Sequence, residues 1–114
     1  MKKKNTVLKT LRNKVKIGDR EIEEIYFDLL HIQYGWDQIK KDYYQGPARN
    51  RFTEVDIVDL FEQLNTLLQI PVEQKAKKKS VESRFIFYIY DGNKKLKMVV
   101  DFMKNDATVV VTIH

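Results

Sequence analysis

The sequence predicts an α+β domain in which two or three N-terminal helices pack on one face of a three- or four-stranded antiparallel β-meander. Three observations lead there. Apolar residues recur at helical spacing through the first 70 positions, residues 84–114 are rich in β-branched and aromatic residues, and short turn sequences divide that second half into strands. A chain of 114 residues fits a single domain, 1–114, with enough core to need no covalent staple.

The first element, "VLKTLRNKV", reads as a short helix, although "VKIGDREI" is also compatible with a small hairpin. In "GDREIEEIYFDLLH", residues Ile22, Ile25, Tyr26, Leu29 and Leu30 fall on one helical face, Asp19 can cap the start, and acids fill the first turn. "QYGWDQIKKDYYQGP" continues the pattern with Trp36, Ile39 and Tyr43 on one side, until Gly46-Pro47 ends it. The third helix has the sharpest start. Thr53 is a good N-cap with Asp56 three residues on, and Phe52 can reach Ile57 as a hydrophobic staple. The series Ile57, Leu60, Phe61, Leu64, Leu67, Leu68 follows, and Pro71 stops it.

Residues 71–83 read as a polar, basic connector, and 84–114 as the sheet. "RFIFYIY", "KLKMVVDFM" and "ATVVVTI" are the strands, with "DGNK" and "KND" as hairpin turns. A two-residue loop at Gly92-Asn93 sets Tyr90 against Lys95, Tyr88 against Lys97 and Arg84 against Asp101. It also brings Ile89 to Leu96, Phe87 to Met98 and Phe85 to Val100. Treating Asn105-Asp106 the same way sets Phe102 against Val109, Val100 against Val111 and Met98 against Ile113. One face is then almost wholly apolar and should be covered by the helices. The other carries Arg84, Tyr88, Tyr90, Lys95, Lys97, Asp101, Thr108, Thr112 and His114, mixed with Ile86, Val99, Val110 and Met103, and places Tyr88, Lys97 and His114 in one cross-strand row.

Composition narrows the chemistry. With no cysteine, a disulfide framework, a thiolate zinc site and a thiol nucleophile are excluded. Two histidines make a zinc site improbable even though Asp28 and His31 share a helix face. The only serines, Ser80 and Ser83, lie in the connector, and no phosphate-cradling glycine motif exists. No cofactor is expected. No apolar run approaches the roughly 20 residues of a membrane span, and no signal-peptide core follows the opening lysines. The expectation is a soluble protein, cytoplasmic or delivered to a target cell's cytoplasm. The net charge of +5 divides into +7 over residues 1–20, −7 over 21–74 and +5 over 75–114. Basic ends around an acidic middle suit a protein with one face toward a polyanion.

A His, then an arginine pair with "RFTEVDIVDLFEQL", then "FIFYIYDGNKKLKMVVDFMKNDATVVVTI", resembles small RelE-superfamily toxins of the BrnT kind, within the barnase, EndoU, colicin and RelE-like ribonuclease group. The resemblance implies metal-independent cleavage of RNA by 2′-hydroxyl attack on phosphate, with an antitoxin or immunity protein as partner. His31 or His114 would transfer the proton, Arg49, Arg51 and Lys97 would hold the phosphate, and Tyr88 would stack or donate a proton. Lys77, Lys78, Lys79, Arg84, Tyr90 and Lys95 would contact RNA outside the reacting centre.

Each candidate also has a structural use. A helix histidine packs its ring at the border of the core, loop arginines are solvated, and lysines on an open strand deter edge pairing. Two other function classes therefore stand beside the first: a non-catalytic nucleic-acid-binding module, and a protein-interaction or immunity-type partner.

Overall fold

The structure, a computed structural model, describes residues 6–37, 39–44, 52–66, 72–74 and 78–114. Among these residues, eight strands and two helices follow in the order β1 (Thr6–Ile17), β2 (Arg20–Asp28), α1 (Leu29–Gln33), β3 (Gly35–Asp37), β4 (Asp42–Tyr44), α2 (Glu54–Glu62), β5 (Val72–Gln74), β6 (Val81–Asp91), β7 (Lys94–Met103) and β8 (Thr108–Ile113). A 3-10 turn, Gln63–Thr66, prolongs α2. Six strands form one sheet in the order β1-β2-β8-β7-β6-β5, and β3 and β4 pair separately. All neighbours in the large sheet are antiparallel except β2 and β8, which run parallel.

This overturns the expected layout of N-terminal helices on a meander. Gly18, at φ +60°, opens a two-residue turn that pairs Ile17 with Arg20, so the weaker alternative, a hairpin, is the one formed. The segment expected as the first amphipathic helix is a strand as far as Asp28. Ile25 and Phe27 alternate into the core while Tyr26 faces the other way, a period of two that the helical spacing of Ile22, Ile25 and Leu29 concealed. Only Leu29–Gln33 turns helical, where the Asp28 carboxylate accepts from the His31 N–H at 3.2 Å. The second expected helix is instead the β3–β4 hairpin, and Ile39, placed by that expectation on a packed face, is 94% exposed. Val72–Gln74, read as connector, is an edge strand on β6.

The third helix begins as its sequence requires. The Thr53 hydroxyl accepts from the Asp56 N–H at 3.2 Å, and the Asp56 carboxylate accepts from the Thr53 N–H at 2.9 Å. Phe52 and Ile57 are both buried in the core, which α2 completes with Leu60 and Phe61. Burial of each such side chain contributes about 1.5–3 kcal/mol. Leu67, Leu68 and Pro71 lie outside the described residues.

α2 packs chiefly on β1, and the strand deforms to receive it. Between Thr10 and Val15, β1 holds extra residues opposite β2, and the backbone groups released there turn to the helix. Asn13 N–H donates to Glu62 at 2.8 Å, Lys16 N–H to the Asn65 side-chain oxygen at 3.1 Å, and the Asn65 amide to the Lys14 carbonyl at 2.8 Å. Polar side chains thus satisfy part of what would be an open sheet edge.

The register of β6 and β7 is the expected one throughout the pairs named above. That of β8 is not. Residues 104–106 make a three-residue loop, closed by the Met103 N–H to the Ala107 carbonyl at 2.8 Å with Asp106 at φ +69°. Phe102 therefore faces Thr108 and Val100 faces Val110, which moves Thr108 and Val110 from the expected open face to the buried one. A bulge between Val99 and Val100 then absorbs one residue, Val111, and restores the expected pairing of Met98 with Ile113. Two offsets of one residue cancel.

Candidate nucleic-acid interface

Because the offsets cancel, the end of β8 meets β7 where expected. Lys97 and His114 exchange backbone hydrogen bonds, Lys97 N–H to the His114 carbonyl at 2.7 Å and His114 N–H to the Lys97 carbonyl at 3.0 Å. Tyr88 stands opposite Lys97 on β6. The row Tyr88, Lys97, His114 is therefore present, on the face of the sheet away from α2. Toward the β6–β7 turn, Tyr90 stands opposite Lys95. The Lys95 ammonium lies 4.6 Å from the centre of the Tyr88 ring, a cation–π contact that fixes both side chains, while Tyr90 is 57% exposed. Gly92, at φ +62°, makes the tight turn that holds the two strands in this register.

His31 reaches the same end of the sheet by another route. β2 and β8 run parallel, with Tyr26 beside Val109 and Phe27 beside Val110, so their C-terminal ends lie together. α1 continues from β2 and packs against β8, so His31 and His114 follow neighbouring strands at the end where Lys97, Lys95 and Tyr90 lie. No sequence signal links these two histidines, because a parallel pair leaves no local turn to read.

Other candidates are elsewhere. Arg84 is held by Asp101, its Nε and Nη2 donating to the two carboxylate oxygens at 2.6 and 2.8 Å, so its fork is occupied. Burial of the pair is substantial, and the bond to Asp101 holds the Arg84 guanidinium above its ordinary value against the opposing effect of desolvation. Lys78 and Lys79 sit in the turn before β6, where Val81 N–H donates to the Lys78 carbonyl at 3.1 Å. That turn is at the far end of an eleven-residue strand from Tyr90, about 30 Å away at ~3.3 Å per residue. Arg49, Arg51 and Lys77 lie outside the described residues.

The charge asymmetry also has an internal explanation. On β1, Lys9 pairs with Glu54 at 3.4 Å, Arg12 with Asp59 and with Glu62 at 3.6 Å, and Lys14 with Glu21 and Glu23 at 3.0 and 3.1 Å. Arg20 pairs with Glu82 at 2.9 Å. Lys9, Arg12 and Lys14 of the basic N-terminal segment thus face the acidic middle of their own chain, while Lys95 and Lys97 stand on the open face of β7. Glu21 is held below its ordinary value, first by the hydrogen bond from Lys14, and Lys14 is raised by Glu21 and then Glu23.

Among the described residues, no three His, Asp or Glu side chains are gathered so as to hold a metal ion, and no helix is long and apolar enough to cross a membrane. Comparison with models of known protein families, with curated proteins and with solved structures finds no match.

Proposed function

We propose that the open face of β6 and β7 binds single-stranded nucleic acid, RNA in the first instance, without base-specific readout. The observation that carries this is the cross-strand group Tyr88, Tyr90, Lys95 and Lys97, two phenols and two ammonium groups interleaved on one face of a rigid hairpin. Aromatic rings offer stacking platforms to any base, and lysines between them follow the phosphate backbone.

A second reading is metal-independent ribonuclease activity at the same place. It is favoured by the parallel β2–β8 pairing, in which His31 and His114 follow neighbouring strands toward the end of the sheet that bears Lys97. Cleavage would use one imidazole to take the 2′-hydroxyl proton and the other to protonate the leaving oxygen, with Lys97 beside the phosphate.

One experiment separates the two. A fluorescein-labelled oligouridine is titrated with the protein in EDTA while its length is followed on a denaturing gel. Binding of an intact oligonucleotide, weakened in Tyr90→Ala and Lys97→Ala, supports the binding module. Shortening of the oligonucleotide that His114→Ala abolishes supports the nuclease. No change in anisotropy and no cleavage at low salt removes both.

A further inference from the structure

On the opposite face of the sheet, under the β1–β2 turn, lies a cavity of about 640 Å³ that the proposed nucleic-acid face does not use. This volume is ordinary for a small-molecule site. Its wall is aromatic: Phe85, Phe87 and Phe102 come from adjacent strands, with the Phe85 ring 5.6 Å from Phe102 edge-on and 6.4 Å from Phe87. Phe87 and Phe102 are themselves buried, and Phe85, only partly buried, is the ring that leaves aromatic surface toward the cavity. The charged groups on the lining are Lys16, Arg20 and Asp19, and Glu82, ion-paired with Arg20 at 2.9 Å, offsets the second cation.

Arg20 is the most telling of these. Its guanidinium carbon stands 4.5 Å over the centre of the Phe102 ring, and one Nη2 donates to Glu82 at 2.9 Å. A guanidinium carries five N–H donors. Stacked on a ring and anchored by one bond, it is pre-oriented at the boundary between aromatic wall and solvent, where an acid group attached to a flat apolar body would meet it.

We propose that this cavity binds a small planar aromatic anion, its rings against the phenylalanine wall and its acid group on Arg20 with support from Lys16. The N–H donors that Arg20 does not give to Glu82 select an acid group, and the aromatic surface selects a flat ring system over a flexible chain, because stacked rings lose little conformational freedom on binding.

The test uses the full chain and two matched probes, 1-anilinonaphthalene-8-sulfonate and its uncharged counterpart N-phenyl-1-naphthylamine. Expected is saturable one-to-one binding of the sulfonate, about tenfold tighter than the uncharged probe, with nuclear Overhauser contacts from naphthyl protons to the Phe85 and Phe102 rings of the wild-type protein. Ser83→Trp, which places an indole in the cavity, should abolish binding, and Arg20→Met should bring the two probes to equal affinity. Equal affinities in the wild type, or contacts to rings elsewhere, would overturn the proposal. The wild-type measurements decide it even if a variant folds poorly.

Discussion

Arg84 on β6 and Asp101 on β7 face each other directly and close two parallel hydrogen bonds, from Nε at 2.6 Å and Nη2 at 2.8 Å. The partners are unequally buried: the aspartate side chain is 7% exposed and the arginine 25%. Removing one partner therefore differs from removing the other. Arg84→Met strands a buried carboxylate and should cost about 3 kcal/mol, whereas Asp101→Asn leaves a cation that water can reach and should cost about 1–2 kcal/mol. Urea denaturation of the two variants measures this, and equal costs would show that burial does not set the asymmetry.

Asn65 joins the 3-10 turn to the deformed part of β1 through two backbone bonds, to the Lys14 carbonyl and from the Lys16 N–H. Asn65→Ala should destabilise by about 1–2 kcal/mol, since two backbone groups lose their partner. Asn65→Asp keeps the acceptor and loses the donor, so it should fall between the wild type and the alanine variant unless its charge is repelled. Thermal melts of the three proteins give the order.

Thr53→Ala should cost about 1 kcal/mol by removing half of the capping box of α2, and Thr53→Ser should be close to neutral because it keeps the accepting oxygen. The same melts report it, and a neutral alanine variant would mean that core burial alone sets the start of α2.

The Lys14–Glu21 pair predicts a pH effect with a definite sign. Glu21 is lowered by its bond from Lys14, so its contribution is complete above its ordinary value of 4.5 and is lost as pH falls through the lower folded value. Lys14 is raised, so its contribution is complete below 10.5 and is lost as pH rises through the higher folded value. Both groups are solvent-exposed, and the effect should be small and fade at about 1 M salt, where screening acts within ~3 Å. Lys14→Ala should flatten the acid limb of a pH–stability curve at low salt; an unchanged limb would show that the pair does nothing for folding.

On the proposed nucleic-acid face, Lys95→Ala and Lys97→Ala should each flatten the logarithmic salt dependence of oligonucleotide binding by about 0.7 for every phosphate that the lysine neutralises. Tyr90→Ala should weaken binding about tenfold, the low end of ~1–3 kcal/mol for one stacked base, with little change in salt slope. Lys78→Ala, at the far end of β6, should have the smaller effect. Anisotropy titrations of the four variants between low and moderate salt distinguish these outcomes.

Local signals were legible where the chain decides locally. The Gly92-Asn93 turn was enough to read the β6–β7 register and so the placement of Tyr88, Lys97, Tyr90 and Lys95, and Thr53 with Asp56 marked the start of α2. β8 was read one residue out near its turn, because Asp106 takes a left-handed conformation in a three-residue loop, and a bulge at Val111 hid the error at the strand's end. Basic ends around an acidic middle suggest one face toward a polyanion, yet Lys9, Arg12 and Lys14 meet acids of α2 and β2, a match invisible without the fold.

By itself, then, the sequence determined the hairpin of β6 and β7 and the entry into α2, since turn and cap geometry depend on a few neighbouring residues. Tertiary structure decided the rest. In residues 20–28 the spacing of Ile22 and Ile25 fits a helix while Ile25 and Phe27 alternate as in a strand, and the strand form coincides with having β1 on one side and the distant β8 on the other. A period can be read from neighbours in the chain, but a partner more than 80 residues away cannot, because the energy that chooses between two compatible periods comes from burial and ladder hydrogen bonds that exist only once the sheet has assembled.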